Sequence, residues 1–187
     1  MAAVSKPLLP DSSSRAPGTG GSLLRFAGPR YWTTWVFVGW LRLTAALPWR
    51  LAIRIHEAFG RVLWTALRRR RRIVVRNLEL CFPELGREAV EALARKHFAN
   101  VGATIAEVAF AWFAPERRVA PLMHIAGIEH LHAALARGRG VLLLSGHFST
   151  LEICSPFVKN VVPLFAFMYR PRNNPLLNEL QSRGRLR

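Results

Sequence analysis

The stretch VLLLSGHFSTLEI, residues 141–153, carries the strongest fold signal in the sequence. Its apolar start is bounded by glycines and is typical of a buried strand in a parallel sheet. The Ser-x-x-Glu spacing of Ser149 and Glu152 is a capping box, which predicts that a helix begins there. We therefore expect a strand over 141–145, a tight turn, and a helix over about 149–159.

A second unit of the same type follows. The sequence VVPLFAFMYR predicts another buried strand at about 163–169, and Pro175 suits the first turn of a further helix. A strand–helix–strand–helix order makes a right-handed parallel sheet covered by helices. The predicted fold class is therefore an α/β sandwich, and it is incomplete because two strands alone make a poor sheet.

The chain divides into three parts. Residues 1–30 are rich in Pro, Gly and Ser and are expected to form a disordered tail. Residues 31–66 are rich in tryptophan and predict two membrane-anchoring helices, over about 33–47 and 49–66. Residues 67–187 are expected to form the N-terminal part of the α/β domain.

The anchoring segment 31–66 is too short and too interrupted for a clean membrane span. Arg42 lies within its longest apolar run and Pro48 breaks that run, whereas a span needs about 20 apolar residues. Tryptophan favours the water–lipid boundary, so the preferred interpretation is a helical anchor lying in the membrane plane or inserted shallowly. A short spanning helix and a plain buried hairpin are the alternatives.

The chain is strongly basic. It carries 27 Lys and Arg against 11 Asp and Glu, a formal charge of +16, which favours an acidic partner. The run Arg68–Arg72 directly follows the anchor and indicates binding to anionic lipid at the cytoplasmic face. A merely solvated charged face is the alternative. Nucleic acid is not expected, because no recognisable nucleic-acid-binding module accompanies the run.

The middle of the chain predicts helices. Pro83 disfavours helix at Phe82, so a helix should end there and a turn should follow. From Gly86 to Trp112, apolar residues recur at spacings of three to five, which predicts a long amphipathic helix. A further helix should close at Gly138.

Metal and cofactor chemistry are not indicated. Cys81 and Cys154 are far apart and stand next to no other metal-ligand type. That pattern predicts neither a disulfide framework nor a zinc site, and a reducing compartment is the default.

His147 and Glu152 are the candidate catalytic pair. His147 follows the first predicted strand, at the sheet edge where ligands gather in open α/β folds. With Ser149 capping the helix, Glu152 would reach the imidazole and orient it, so the ring could act as general base on a substrate hydroxyl. The alternative is that Glu152 only completes the capping box and the backbone satisfies His147.

Several blocks resemble one enzyme family. GHFSTLE (146–152) matches the His-x4-Asp/Glu signature of the glycerolipid-type acyltransferases. RRRRRIVVRNLELCFPEL (68–85), GRGVLLLSGHFSTLE (138–152) and YRPRNNPLLNELQSRGR (169–185) resemble, in that order, blocks of the late acyltransferases of lipid A biosynthesis. That group is the lauroyl/myristoyl group acting on Kdo-lipid IVA, and the resemblance covers roughly residues 31–187.

The resemblance implies a reaction and a place. A fatty acyl chain would pass from acyl carrier protein, or from acyl-CoA, to a hydroxyl of a lipid A precursor, without a cofactor, at the cytoplasmic face of the bacterial inner membrane. His147 would be the general base, Glu152 its orienting partner, and Arg170 a contact for phosphate or donor. The candidate substrate-binding residues are Ser149, Arg170, Arg172 and Asn174.

Two further interpretations stay open. One keeps the chemistry but changes the acceptor to a lysophospholipid, a glycerol phosphate or another glycolipid. The other is a non-catalytic module that binds anionic membranes. Members of the family continue beyond the last block seen here, so the resemblance also implies a C-terminally truncated chain that is inactive or weakly active.

Overall fold

The computed structural model describes residues 21–138, 140–146, 148–149, 151–154 and 170–185. Within this part the helices are α1 (Trp32–Ala46), α2 (Trp49–Ala66), α3 (Arg68–Cys81), α4 (Arg87–Phe113), α5 (Glu116–Val119), α6 (Ile128–Leu135) and α7 (Pro175–Arg185). Residues 151–154 are also helical, and 3-10 turns occupy Leu23–Phe26, Pro29–Tyr31 and Ala120–Leu122.

Prolines and glycines set the helix boundaries. α1 ends two residues before Pro48, and α3 ends two residues before Pro83, because the residue preceding a proline disfavours the helical conformation. Gly86 is extended at the start of α4. The two predicted helices at 33–47 and 49–66, the turn around Pro83 and the long helix after Gly86 are therefore confirmed.

The long helix α4 is the centre of the described part, and α1, α2, α3 and α7 all pack against it. Its buried face consists mainly of small residues, so the neighbouring helices can approach closely. Val101, which the apolar spacing placed on the buried face, is exposed instead. The buried residues of this face include Val90, Ala94, Phe98, Gly102, Ala103, Ala106, Ala109 and Phe110.

Two glycines bring α2 and α4 into backbone contact. A Cβ atom added at Gly102 would lie 2.0 Å from the His56 carbonyl oxygen, and one added at Gly60 would lie 2.2 Å from the Phe98 carbonyl oxygen. No side chain fits at such distances. The two helices therefore cross where neither carries a side chain.

His56 joins the first two helices. It is fully buried on α2, where its Nδ1 lies 2.8 Å from the Ala52 carbonyl oxygen and its Nε2 lies 3.4 Å from Thr44 Oγ1 of α1. The ring also stacks on Trp40 of α1, with centroids 5.1 Å apart. A histidine thus supplies the polar and aromatic contacts that close the α1–α2 hairpin.

The hairpin leaves an apolar face open to solvent. The exposed apolar residues recur at spacings of four and seven on α1 and of three or four on α2, which places them on one side of each helix. None of the helices in the described part is long and apolar enough to cross a membrane. The exposed residues of this face are Trp32, Val36 and Leu43 on α1, and Leu51, Ile55, Phe59 and Val62 on α2.

Residues 21–30 of the expected tail are folded against the helices. Residues 1–20 of that tail lie outside the described residues. The Phe26 ring is buried, and its carbonyl oxygen accepts a hydrogen bond from Trp35 Nε1 at 2.8 Å. The prediction is wrong for residues 21–30. The composition of the segment is typical of disorder, but the segment contains one aromatic residue, Phe26, whose side chain packs into the core.

The predicted first strand is not observed. Residues 140–146 have no regular structure, and Leu142 and Leu144 are 93% and 97% exposed. The described residues contain no strand, and the second predicted strand, 163–169, lies outside them. A strand is buried and hydrogen-bonded only where neighbouring strands accompany it. The α/β sandwich therefore stays a prediction, and the described part of the chain is helical.

Candidate active site

Glu152 lies where α4, α7 and the helical residues 151–154 meet. Trp112 Nε1 of α4 donates to Glu152 Oε2 at 3.3 Å, and Gln181 Nε2 of α7 donates to Oε1 at 2.7 Å. Arg185 Nε donates to Oε2 at 3.0 Å, and the same guanidinium donates a second bond to Oε1. The carboxylate thus ties three separate segments together.

The surroundings of Glu152 keep it ionised. Burial acts to raise the pKa of this carboxyl group. The hydrogen bond and the positive charge of Arg185, followed by the hydrogen bonds from Gln181 and Trp112, outweigh burial and hold the pKa below its ordinary value. A two-point arginine–carboxylate pair is a strong and directional contact. Glu152 is therefore an anion near neutral pH.

The donors around Glu152 fill the hydrogen-bonding positions of its carboxylate. An ionised carboxylate offers about four lone-pair positions, and Trp112, Gln181 and Arg185 supply four N–H bonds. His147 lies outside the described residues, and Ser149 is exposed. An imidazole could bond to Glu152 only by replacing or sharing one of these donors.

Two of the predicted substrate-binding residues make internal contacts that hold α7. Asn174 Oδ1 accepts from the Leu177 amide at 3.1 Å, and its amide group donates to Thr34 Oγ1 at 2.8 Å. Arg172 donates through Nε to Gln181 Oε1 at 2.8 Å. Asn174 thus caps α7 and links it to α1, while Arg172 orients the glutamine that binds Glu152.

Arg170 stands apart from this network. It is exposed at the start of the segment that leads into α7. Its side chain is available to a ligand, but the described structure does not bring it to Glu152.

A second carboxylate, that of Glu179 on α7, anchors the start of the described chain. Glu179 is only 4% exposed and accepts from Arg25 at 3.1 Å and from Arg183 at 2.8 Å. Arg183 also donates to the Gly21 carbonyl oxygen. The contacts of Glu152 and Glu179 together fix the position of α7 against the helical core.

Sequence analysis did not find the residues that hold Glu152. Trp112, Gln181 and Arg185 lie 40, 29 and 33 positions away from it in the chain. The available signal was the four-residue spacing of Gln181 and Arg185, which places both side chains on one face of a helix. Nothing in that spacing indicates which carboxylate they bind.

A cavity of about 630 Å³ lies beside this site, between α1, α4 and α7. It shares Trp112 with the Glu152 cluster, and its apolar wall includes Phe113 and Leu180. Arg42, Arg118 and Arg183 supply positive charge along the same wall. A cavity of this composition suits an amphiphile with an anionic group.

Metal ligands do not cluster in the part of the chain that the structure describes. No group of three or more His, Cys, Asp or Glu side chains there is placed to hold a metal ion. Cys81 and Cys154 are both free thiols.

The fold alone does not identify the protein, but the chain matches one protein family over nearly its whole length. Residues 21–187 match the bacterial lipid A biosynthesis acyltransferases, and the chain belongs to that family. No solved structure gives a significant match.

Relatives named as lipid A biosynthesis acyltransferases match over most of this chain. It is 40% identical to the lipid A biosynthesis lauroyltransferase of Escherichia coli over 159 residues, which are 85% of this chain and 52% of that protein. It is 36% identical to the lipid A biosynthesis palmitoleoyltransferase of the same organism over 162 residues, 87% of this chain and 53% of that protein. The chain therefore spans about half the length of these relatives.

Proposed function

We propose that the protein transfers a fatty acyl chain to a hydroxyl group of a lipid A precursor. The observation that carries this proposal is the match of residues 21–187 to the lipid A acyltransferase family, together with the His147–Glu152 signature inside it. The relatives named as lauroyltransferase and palmitoleoyltransferase support acyl transfer as the reaction. The arginine-lined cavity beside Glu152 supports an amphiphilic, anionic substrate.

His147 is the proposed general base. It takes the proton of the acceptor hydroxyl while the hydroxyl oxygen attacks the thioester carbonyl of acyl carrier protein or acyl-CoA. The new acyl–oxygen bond forms, the acyl–sulfur bond breaks, and the proton passes from the imidazolium to the leaving thiolate. No enzyme nucleophile is needed, because the acceptor supplies its own.

Glu152 is the proposed partner of His147. Its low pKa keeps a negative charge available to stabilise the imidazolium that forms during transfer. Among its donors, Trp112 makes the longest bond, at 3.3 Å. That bond is the one an imidazole N–H would replace at the smallest energetic cost.

We also propose that the α1–α2 hairpin lies on the cytoplasmic face of the inner membrane. The exposed apolar stripe of α2, from Leu51 to Val62, is accompanied by exposed Arg50, Arg54 and Arg61. An apolar stripe bordered by arginine is typical of a helix lying in the membrane interface. Arg68–Arg72 would add attraction to anionic lipid.

The acyl-transfer proposal is tested in a chimera. Residues 21–187 replace the matching segment of the E. coli lauroyltransferase, and transfer from acyl carrier protein to a lipid A precursor is measured. His147→Ala should reduce turnover by about 100-fold or more, the usual contribution of a general base. His130→Ala, an exposed histidine on α6, is the matched control. Full activity of the His147 variant in an active chimera would contradict the assignment.

The same assay addresses the two remaining sequence predictions. The 187-residue chain alone is predicted to transfer acyl groups weakly or not at all. Lysophospholipid and glycerol phosphate serve as alternative acceptors. Transfer to these but not to the lipid A precursor would replace the proposed acceptor while leaving the chemistry intact.

A non-catalytic membrane module is the second candidate function, favoured by the exposed apolar face of α1 and α2. It predicts that the chain binds anionic vesicles and that His147→Ala changes nothing in any assay. Loss of acyl transfer with vesicle binding retained would reject this candidate.

A further inference from the structure

A cleft of about 360 Å³ lies between α3 and the neighbouring surfaces of α2 and α4. It shares no residue with the Glu152 cluster or with the cavity beside it. We propose that this arginine cleft, built by Trp64, Arg71, Arg72, Arg76 and Arg95, binds the phosphate of a phosphomonoester, carried by a membrane lipid or by a soluble molecule. The proposal does not depend on acyl transfer.

The charge of the cleft matches that ligand. Its four arginines face two glutamates, Glu79 and Glu91, so two positive charges remain in excess. Glu79 pairs with Arg76 at 3.2 Å and Glu91 with Arg95 at 3.7 Å, whereas Arg71 and Arg72 have no ion pair within the described residues. A phosphomonoester carries a charge of about −1.5 to −2 at neutral pH, which balances this excess.

Trp64 holds two of the guanidinium groups in position. Arg71 and Arg95 lie over its ring, 5.1 and 5.2 Å from the centroid. The ring itself is buried and packs edge-on against Phe98 at 5.4 Å. Stacking limits the motion of these arginines without using their N–H groups, so less entropy is lost when an oxyanion binds.

The start of α3 also favours an anion. Its first turn contains no acidic residue, and Leu67 at the N-cap offers no side-chain hydrogen bond. Arginines here lie at the positive end of the helix dipole, where cations are unfavourable and anions favourable. Among the residues that line the cleft, Arg71 lies in this first turn, so the dipole adds to the attraction of an anion at that position and the arginine charges supply the rest.

The shape of the cleft favours a small group over a protein partner. A stable protein interface takes about 800 Å² from each partner, whereas this concave site admits one headgroup-sized ligand. Trp64 and Val75 are the apolar residues of the lining, so a lipid seated in the cleft would have apolar surface beside its phosphate.

The test measures binding of the 187-residue chain to phosphatidylcholine vesicles that contain phosphatidate, by co-sedimentation. Arg71→Gln/Arg72→Gln removes two cleft arginines. Arg69→Gln/Arg70→Gln removes the same charge from exposed positions of the same helix that do not line the cleft. The cleft variant should lose about tenfold in affinity, and the control should lose less than about threefold.

Equal losses in the two variants would overturn the proposal. They would leave Arg68–Arg72 as a diffuse basic surface, of the kind that an acidic protein or any anionic membrane attracts. Far-UV circular dichroism checks the fold of both variants. If the cleft variant does not fold, Arg72→Gln against Arg70→Gln repeats the comparison with single changes.

Soluble phosphate distinguishes the source of the ligand. Inorganic phosphate and glycerol 3-phosphate are added in competition with the vesicles. Competition that is lost in the cleft variant identifies a site for the phosphate group itself. A cleft-specific difference without competition identifies a site for membrane-borne phosphate. Because no acyl transfer is measured, failure here leaves the proposed acyltransferase activity unaffected.

Discussion

Arg185 holds both oxygens of the Glu152 carboxylate, and each of the two side chains is only 13% exposed. The pair joins α7 to the helical residues 151–154. Its geometry makes Glu152 a structural anchor as well as a catalytic candidate, and the two roles respond differently to substitution.

Removing the arginine leaves a partly buried carboxylate without its main partner. Arg185→Gln should therefore destabilise the fold by roughly 2–4 kcal/mol, somewhat less than the loss of a fully buried pair because both side chains are partly exposed. Thermal unfolding measures the loss. Arg61→Gln, which breaks the exposed Arg61–Glu57 pair, should cost under about 1 kcal/mol. Similar losses in the two variants would contradict the anchoring role.

Acid should weaken the fold through Glu152. The pKa of Glu152 is lower in the folded chain than in the unfolded chain. As the pH falls, the carboxylate is therefore protonated at a higher pH in the unfolded chain. The stabilisation is therefore present above about pH 4.3, the ordinary pKa of glutamate, and is lost as the pH falls through the folded value. Urea unfolding between pH 7 and 3 measures this slope. Glu152→Gln should show a smaller slope, and an unchanged slope would reject the assignment.

Glu107 on α4 should have the opposite effect on the pH dependence of stability. Burial raises its pKa, and its Oε2 atom is buried with no hydrogen-bond partner among the described residues. The unfolded chain loses this proton at a lower pH than the folded chain, so stability falls as the pH rises above about 4.3. Glu107→Gln should raise Tm by about 1–3 °C at pH 7.

That gain should shrink as the pH is lowered toward 4, because the carboxyl group is then increasingly protonated in both states. Glu84→Gln, at an exposed position in the turn before α4, is the control and should change Tm little at either pH. A gain of equal size at pH 4 and pH 7 would show that ionisation of Glu107 is not the cause.

The α2–α4 crossing should not tolerate a methyl group. Gly102→Ala places a Cβ atom 2.0 Å from the His56 carbonyl oxygen, and the backbones must separate. A loss of about 1–3 kcal/mol or more is expected from overpacking. Gly39→Ala on α1 meets nothing within 4 Å and should stabilise by about 0.4–1 kcal/mol. Urea unfolding measures both variants, and matching signs would contradict the close approach.

Much of the helical layout could be predicted, because local signals determine it. Pro48, Pro83 and Gly86 act on their own neighbours, and the apolar spacing from Gly86 to Trp112 is readable without any partner. The face assignment was less accurate, since Val101 is exposed while alanines and Gly102 form the contact. Small residues carry little hydrophobic signal, although they permit the closest packing.

Formation of the predicted strand at 141–145 depends on residues far away in the chain. The apolar run before His147 has the composition of a buried strand, yet composition cannot supply neighbouring strands. The same limit applies to Asn174 and Arg172, whose place in a recognisable block indicated substrate contact. Their contacts in the structure are to Thr34 and Gln181, which only the packing of α7 brings near.

The sequence by itself determined the family, the helix boundaries, the basic character and the position of the His147–Glu152 signature, because these depend on residue identity and local spacing. Only the tertiary structure decided which donors surround Glu152, that Gly60 and Gly102 lie at a helix crossing, and that Trp64 gathers the arginines of the cleft. Those facts depend on residues tens of positions apart, whose proximity follows from packing against α4 and has no signature in the linear chain.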